Sequence, residues 1–155
     1  MTVRFGPRAL ITMKVRIKRI DKSLPLPEYK TSGAAGFDLS ARVSLTVLPG
    51  GTVRVPLNVA IEPPEGYMVM LCARSSLHKK GLMPANGIGV MDRDFSGNTD
   101  EYLGALYNFT DKEVSIERGE RIMQVVFKQY GKAEWEEVDD LGNKDRGGFG
   151  TTGRV

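Results

Sequence analysis

Between the turn sequences LPGG (48–51) and PPEG (63–66), Val53, Val55, Leu57, Val59 and Ile61 stand at strictly alternate positions. A period of two puts all five side chains on one face of an extended strand, whereas a helix would scatter them around its axis. The alternation predicts one half-buried strand over this stretch. Similar short segments occur at Val15–Arg19, Phe37–Ala41, Tyr67–Ala73, Ile88–Met91, Tyr102–Tyr107 and Ile122–Tyr130. The 18 glycines and 8 prolines among 155 residues supply frequent turns. Only SSLHKKG, Ser75–Gly81, has helical character, and one or two turns make a connector. Many short strands with regular turn signals predict an all-β sandwich or barrel.

The length fits one domain with its own core. That domain is expected over residues 13–130, since Met13 opens the first alternating segment. Residues 1–12 are too few and too polar for a secretory signal and read as an upstream start or an unstructured arm. From Gly131 the alternation stops, and the polar, glycine-rich stretch 131–155 reads as a C-terminal tail that a ligand or partner orders.

Composition excludes several classes. No apolar run approaches the roughly 20 residues that cross a bilayer, so no membrane partner is expected. A single cysteine, Cys72, rules out a disulfide framework within the chain, and with one histidine it leaves no all-protein zinc site. The cytoplasm is the expected compartment. The net charge of +3 is spread among acidic residues, and KVRIKR (14–19) alternates charge with Val15 and Ile17 as the wet face of a strand does. No stable nucleic-acid binding is expected.

Five segments could carry chemistry. AGFDLSA (35–41) sets a glycine and Asp38 at a strand entry, where a tight turn alone would explain them. ARSSLHKKG (73–81) places Arg74, Ser75 and Ser76 before a helical turn, either as holders of phosphate oxygens or as a serine cap beside a solvated arginine. NGIGVMDRDFSG (86–97) interrupts an apolar strand that ought to be buried (Ile88, Val90, Met91) with Asp92 and Asp94. A strand end followed by a charged turn explains this, and so does a carboxylate held as a general base. RGERIMQ (118–124) brings Arg121 and Gln124 to the start of a strand. DRGGFGTTGR (145–154) sets Phe149 among glycines, with Arg146, Thr151, Thr152 and Arg154 as donors; it suits a flap that stacks on a base, or a disordered tail. His78 reads as a surface residue and Cys72 as a small core residue.

In this order, the five segments resemble the five motifs of the trimeric dUTPase (dUTP pyrophosphatase) family, from about Lys14 to Gly153. The resemblance implies a β jelly roll, a homotrimer with active sites shared between subunits, and Mg²⁺-dependent hydrolysis of dUTP to dUMP and pyrophosphate. Such an activity limits uracil incorporation into DNA and supplies dUMP for dTMP synthesis. On it, Asp92 matches the catalytic aspartate, which activates water for in-line attack at the α-phosphorus. Arg74, Ser75, Ser76 and Gln124, with Arg146, Thr151 and Thr152 of the tail, match phosphate-binding positions. Asp38 matches an acid that supports the hydrated Mg²⁺ through water. Asn86, Gly87 and Val90 supply the backbone edge that reads uracil, Phe95 packs under the deoxyribose, and Phe149 stacks on the base.

Three features depart from the family pattern. Phe95 replaces the usual tyrosine, the run NTDEYLGALYN after Gly97 is some three residues longer, and the fifth motif is shortened to RGGFG, which opens the role of Arg146 to Arg154. The longer run carries Thr99 and Glu101, an echo of dCTP deaminase, a relative of the same fold. Deamination and a catalytically silent nucleotide-binding trimer are the alternatives to hydrolysis.

Overall fold

The structure, a computed structural model, describes residues 11–151 and 153. Among them are eleven strands and one 3₁₀ turn, Leu77–Lys80. The strands are β1 (Arg16–Arg19), β2 (Phe37–Ser40), β3 (Leu45–Val47), β4 (Thr52–Pro56), β5 (Val59–Glu62), β6 (Tyr67–Ala73), β7 (Leu82–Pro84), β8 (Gly89–Met91), β9 (Leu103–Asn108), β10 (Val114–Ile116) and β11 (Arg121–Gln129). They form a four-stranded sheet β2-β11-β6-β8, a three-stranded sheet β4-β9-β7, and two ribbons, β1-β5 and β3-β10. Every pairing is antiparallel.

All four units share one core. Leu39, Leu71, Met123 and Val125 of the four-stranded sheet meet Val55 and Leu106 of the three-stranded sheet, with Ile61 and Ile116 from the ribbons. Gly104 on β9 lets the layers close, since a Cβ there would stand 3.1 Å from Met123 Cγ. Truncating a fully buried residue such as Leu106 costs about 2–5 kcal/mol.

The alternating stretch 53–61 is two strands rather than one. β4 pairs with β9, the chain turns at Asn58, and β5 then pairs with β1. Asn58 has φ +68°, a left-handed conformation that asparagine adopts more readily than most residues. Its side chain clamps Asp21 from both sides, accepting from Asp21 N at 2.7 Å and donating to Asp21 O at 3.0 Å. After this corner Val59, Ala60 and Ile61 are all buried, so period two no longer holds. The strands β3, β7 and β10, of three residues each, were not read from the sequence, because so short a segment carries little period of its own.

β11 ends at Gln129, and no strand is present among the described residues after it. Trp135 is 92 % exposed and Phe149 fully exposed. No helix among the described residues is long and apolar enough to cross a membrane.

Candidate active site

The end of the four-stranded sheet gathers three of the sequence motifs. β11 lies between β2 and β6, with Gln124 opposite both Asp38 and Cys72. Gly36 makes the approach of β2 possible, since a Cβ there would fall 2.7 Å from Val125 O. Asp38 Oδ2 is shared by two guanidinium groups, Arg74 Nε at 3.0 Å and Arg121 Nη1 at 3.1 Å. Arg74 Nη1 also donates to Arg121 O at 2.9 Å, and Gln124 Nε2 donates to Ala73 O at 2.7 Å. Asp38 thus fixes the direction of Arg74, a planar fork suited to phosphate oxygens. The sequence placed Arg121 at the start of this strand without giving it a role; its pairing with Asp38 appears only in the fold.

Ser75 and Ser76 follow Arg74 and are exposed. The turn after them is a four-residue 3₁₀ segment, so the helix-dipole argument for an anion carries little weight. Nor does Ser76 cap it, for its hydroxyl makes no capping bond. The hydroxyls and the Arg74 fork are what this corner offers an anion.

The third motif runs antiparallel alongside β6, with its Asn86–Gly87 turn towards the Arg74 end and Asp92 towards the other. β8 pairs with β6 through Gly89–Leu71, Val90–Met70 and Met91–Val69. The turn before β8 closes by Gly87 N donating to Pro84 O at 3.3 Å, with Gly87 at φ +72°. Asn86 and Gly87 are exposed at its tip. The expected burial of the adjoining apolar run is not found: Ile88 is 50 % and Val90 60 % exposed. β8 is an edge strand, and among the described residues no strand pairs with its outer side. Asp92 and Asp94 are exposed beyond its end. Phe95 N donates to Asp92 O at 3.2 Å, and the Phe95 ring stacks on buried Tyr102, with centroids 6.3 Å apart and planes 16° apart. At 39 % exposure Phe95 keeps one side open.

Arg74 and Asp92 do not meet within one chain. Arg74 is five positions beyond Val69, the residue that Met91 faces, which at about 3.4 Å per residue separates the two groups by roughly 17–20 Å. Neither of two cavities lined by the described residues joins them. Asp38 and Arg121 border one of about 140 Å³ beneath Leu24–Lys30, smaller than the roughly 300 Å³ at which ligand pockets begin. An open depression of about 460 Å³ beside exposed His78 and Phe109 contains no candidate residue.

Glu101, the acid of the longer run, is fully engaged. Its carboxylate accepts from Arg42 Nε at 2.8 Å, Arg42 Nη2 at 2.9 Å and Asn58 N at 2.8 Å. These hydrogen bonds hold the Arg42 guanidinium above its ordinary pKa, against the desolvation that lowers it. A carboxylate so occupied is a poor candidate for the base of a deaminase. Cys72 is half-buried, and burial pushes its thiol pKa up, away from the reactive thiolate.

In the tail, Arg146, Phe149 and Thr151 are exposed. Gly147, Phe149 and Gly150 all have positive φ, and Thr151 N donates to Gly148 O at 3.1 Å. Thr152 and Arg154 lie outside the described residues.

Among the described residues no three His, Cys, Asp or Glu side chains converge as a metal cage. Asp38 directs Oδ2 to its two arginines. That donor set fits a hydrated Mg²⁺ brought in on substrate phosphates, which retains several waters and needs no dedicated cage.

The sequence profile of the dUTPase family matches residues 22–153. The deoxyuridine 5'-triphosphate nucleotidohydrolase of Dictyoglomus turgidum is 39% identical over 148 residues, covering 91% of this chain and 99% of that protein. The protein of the same name from a Hydrogenobaculum species is 43% identical over 145 residues, with coverage of 91% and 99%. Among solved structures, the dUTPase from Streptococcus mutans superposes with a TM-score of 0.71 at 32% identity, covering 77% of this chain and 98% of that one.

Proposed function

The chain belongs to the dUTPase family, and from that premise we propose that it hydrolyses dUTP to dUMP and pyrophosphate, as a homotrimer whose sites are shared between subunits. The observation that carries the reading is the turn after β8. It presents an exposed carboxylate, Asp92, three residues from a ring stacked on the core, Phe95, so one turn offers a base and a sugar platform.

Asp92 orients the attacking water and accepts its proton as the new bond forms at the α-phosphorus. The bond to the bridging oxygen breaks in line, and pyrophosphate leaves. Arg74, Ser75, Ser76 and Gln124 hold the phosphates, and Asp38 keeps Arg74 in place while supporting the hydrated ion through water. Mg²⁺ held there through substrate phosphates and water would supply neutralisation of the phosphate charge. The backbone at Asn86, Gly87 and Val90 reads uracil, where an unmatched donor pair costs about 1–3 kcal/mol against cytosine. Phe149 stacks on the base while Arg146, Thr151 and Thr152 close over the phosphates. A span of some 17–20 Å between Arg74 and Asp92 along β6 supports assembly of the site from more than one subunit. Three copies of 17.1 kDa make about 51 kDa. Such an enzyme acts in the cytoplasm, limiting uracil in DNA and supplying dUMP.

The test is incubation with Mg²⁺ and dUTP, dCTP, dTTP or UTP separately, with assays for pyrophosphate and ammonia. Pyrophosphate is expected rapidly from dUTP and much more slowly from the others. Ammonia from dCTP would move the chain to the deaminase branch, and binding without products would make it a silent trimer.

A further inference from the structure

The loop from Asp92 to Glu101 is tied to the body at few points. Within it, Gly97 N donates to Asp100 Oδ2 at 2.7 Å, Asp100 N to Gly97 O at 3.2 Å, and Glu101 N to Thr99 O at 2.9 Å. These bonds shape the loop without attaching it. One exposed tether comes from Lys18 Nζ, which donates to Asn98 O at 2.9 Å. Among the described residues the further attachments are the Phe95 ring on Tyr102 and the Glu101 carboxylate, whose side chain is 12% exposed. Glu101 directly precedes Tyr102, which is fully buried and held by Tyr102 N to Val59 O at 2.8 Å and Leu57 N to Tyr102 O at 2.9 Å. The platform beneath Phe95 and the carboxylate clamp are therefore consecutive residues.

We propose that Glu101 is a specificity-determining positioning residue, whose clamp by Arg42 and the Asn58 backbone fixes the seat of Tyr102 and through it the Phe95 ring. This rests on the dUTPase reading and deepens it, because that reading places the Phe95 ring under the deoxyribose, where it would crowd a 2′-hydroxyl. A ring held in one orientation excludes a ribose; a ring on a loosened seat moves aside for it. The clamp is specific in geometry. Arg42 meets both carboxylate oxygens, and the Asn58 amide shares Oε1, so neither glutamine nor a lysine at position 42 reproduces all three bonds. Asn58 is also the corner where β4 gives way to β5, which joins the loop to the core instead of to another loop.

The experiment measures kcat/KM for dUTP and UTP in the full-length protein and in Glu101→Gln, Arg42→Lys, Phe95→Leu and the Glu101→Gln/Phe95→Leu double variant, each assayed well below its own Tm. The dUTP:UTP ratio is expected to fall about tenfold in Glu101→Gln and by a smaller factor in Arg42→Lys, with kcat on dUTP within about threefold of wild type. In the Phe95→Leu background, Glu101→Gln should lower the ratio no further, since the two act through one ring. A lowered Tm with an unchanged ratio in both clamp variants overturns the proposal, as does full additivity in the double variant. Should Glu101→Gln fail to fold, Arg42→Lys gives the same reading. A wild-type protein that hydrolyses neither nucleotide overturns the functional reading and this inference with it. Wild-type hydrolysis of dUTP with an insensitive ratio overturns this inference alone.

Discussion

The Arg74 end of the four-stranded sheet and the stretch around Phe149 differ in how their side chains are held. At the sheet end Asp38, Arg74, Arg121 and Gln124 all have partners in the same chain. Around Phe149 the ring is fully exposed, and the hydrogen bonds are short-range turns such as Thr151 N to Gly148 O. Groups held before a ligand arrives lose little freedom on binding, whereas a glycine-rich segment is ordered at the expense of binding energy. On the proposed function, the first would supply affinity and direction from the outset, and the second would contribute only on closing over the ligand, excluding water as it did so.

The sharpest test of this contrast removes chemistry from the body and leaves the tail intact. Asp92→Asn keeps the shape of the turn after β8 but cannot take a proton from water. Turnover should fall by roughly three decades or more, while a non-hydrolysable dUTP analogue binds nearly as before. Wild-type turnover by the variant would mean that the base lies elsewhere.

Removing the chain after Asp145 tests the other side. Because none of the described residues that follow belongs to the core cluster, thermal stability should change little. Loss of Phe149 stacking and of phosphate closure should lower kcat by about one to two decades. Normal dUTP hydrolysis by the truncated protein would break the contrast, since the tail would then have no part in the site.

The sequence reported the two regions unequally. The sheet end was legible as a set of segments because β2, β6 and β11 each carry enough alternation to be read as strands, and the residues flanking them followed. Their mutual arrangement was not: that Asp38 binds two arginines depends on the register of β11 against both neighbours, which no local pattern encodes. The corner at Asn58 stayed hidden because the alternation runs through it undisturbed, although strand pairing changes there. Glu101 was noticed for the wrong reason. Its acid and preceding Thr99 suggested chemistry, while its three bonds come from Arg42 and Asn58, distant in sequence and adjacent only in the fold. The exposure of Ile88 and Val90 was misread because alternation marks a face without saying what covers it.

The smallest expected effect separates two roles for Asp38. Its pairs with Arg74 and Arg121 are partly exposed, at 26% and 45% for the arginine side chains and 17% for Asp38, so their worth to stability after solvent screening is about 1 kcal/mol or less. Asp38→Asn keeps the size of the side chain and one acceptor oxygen but removes the charge that both guanidinium groups share. If Asp38 acts chiefly by aiming Arg74, the loss appears in binding: KM for dUTP should rise severalfold, kcat should stay within about threefold, and added salt should narrow the gap to wild type because ions screen the original pairs. If Asp38 acts chiefly on the water around the metal, kcat should fall by a decade or more at saturating dUTP, and the loss should shrink as Mg²⁺ is raised. Titrating Mg²⁺ and salt separately with the one variant distinguishes these outcomes. The geometry favours the first, since Oδ2 is shared by two arginines of the same chain.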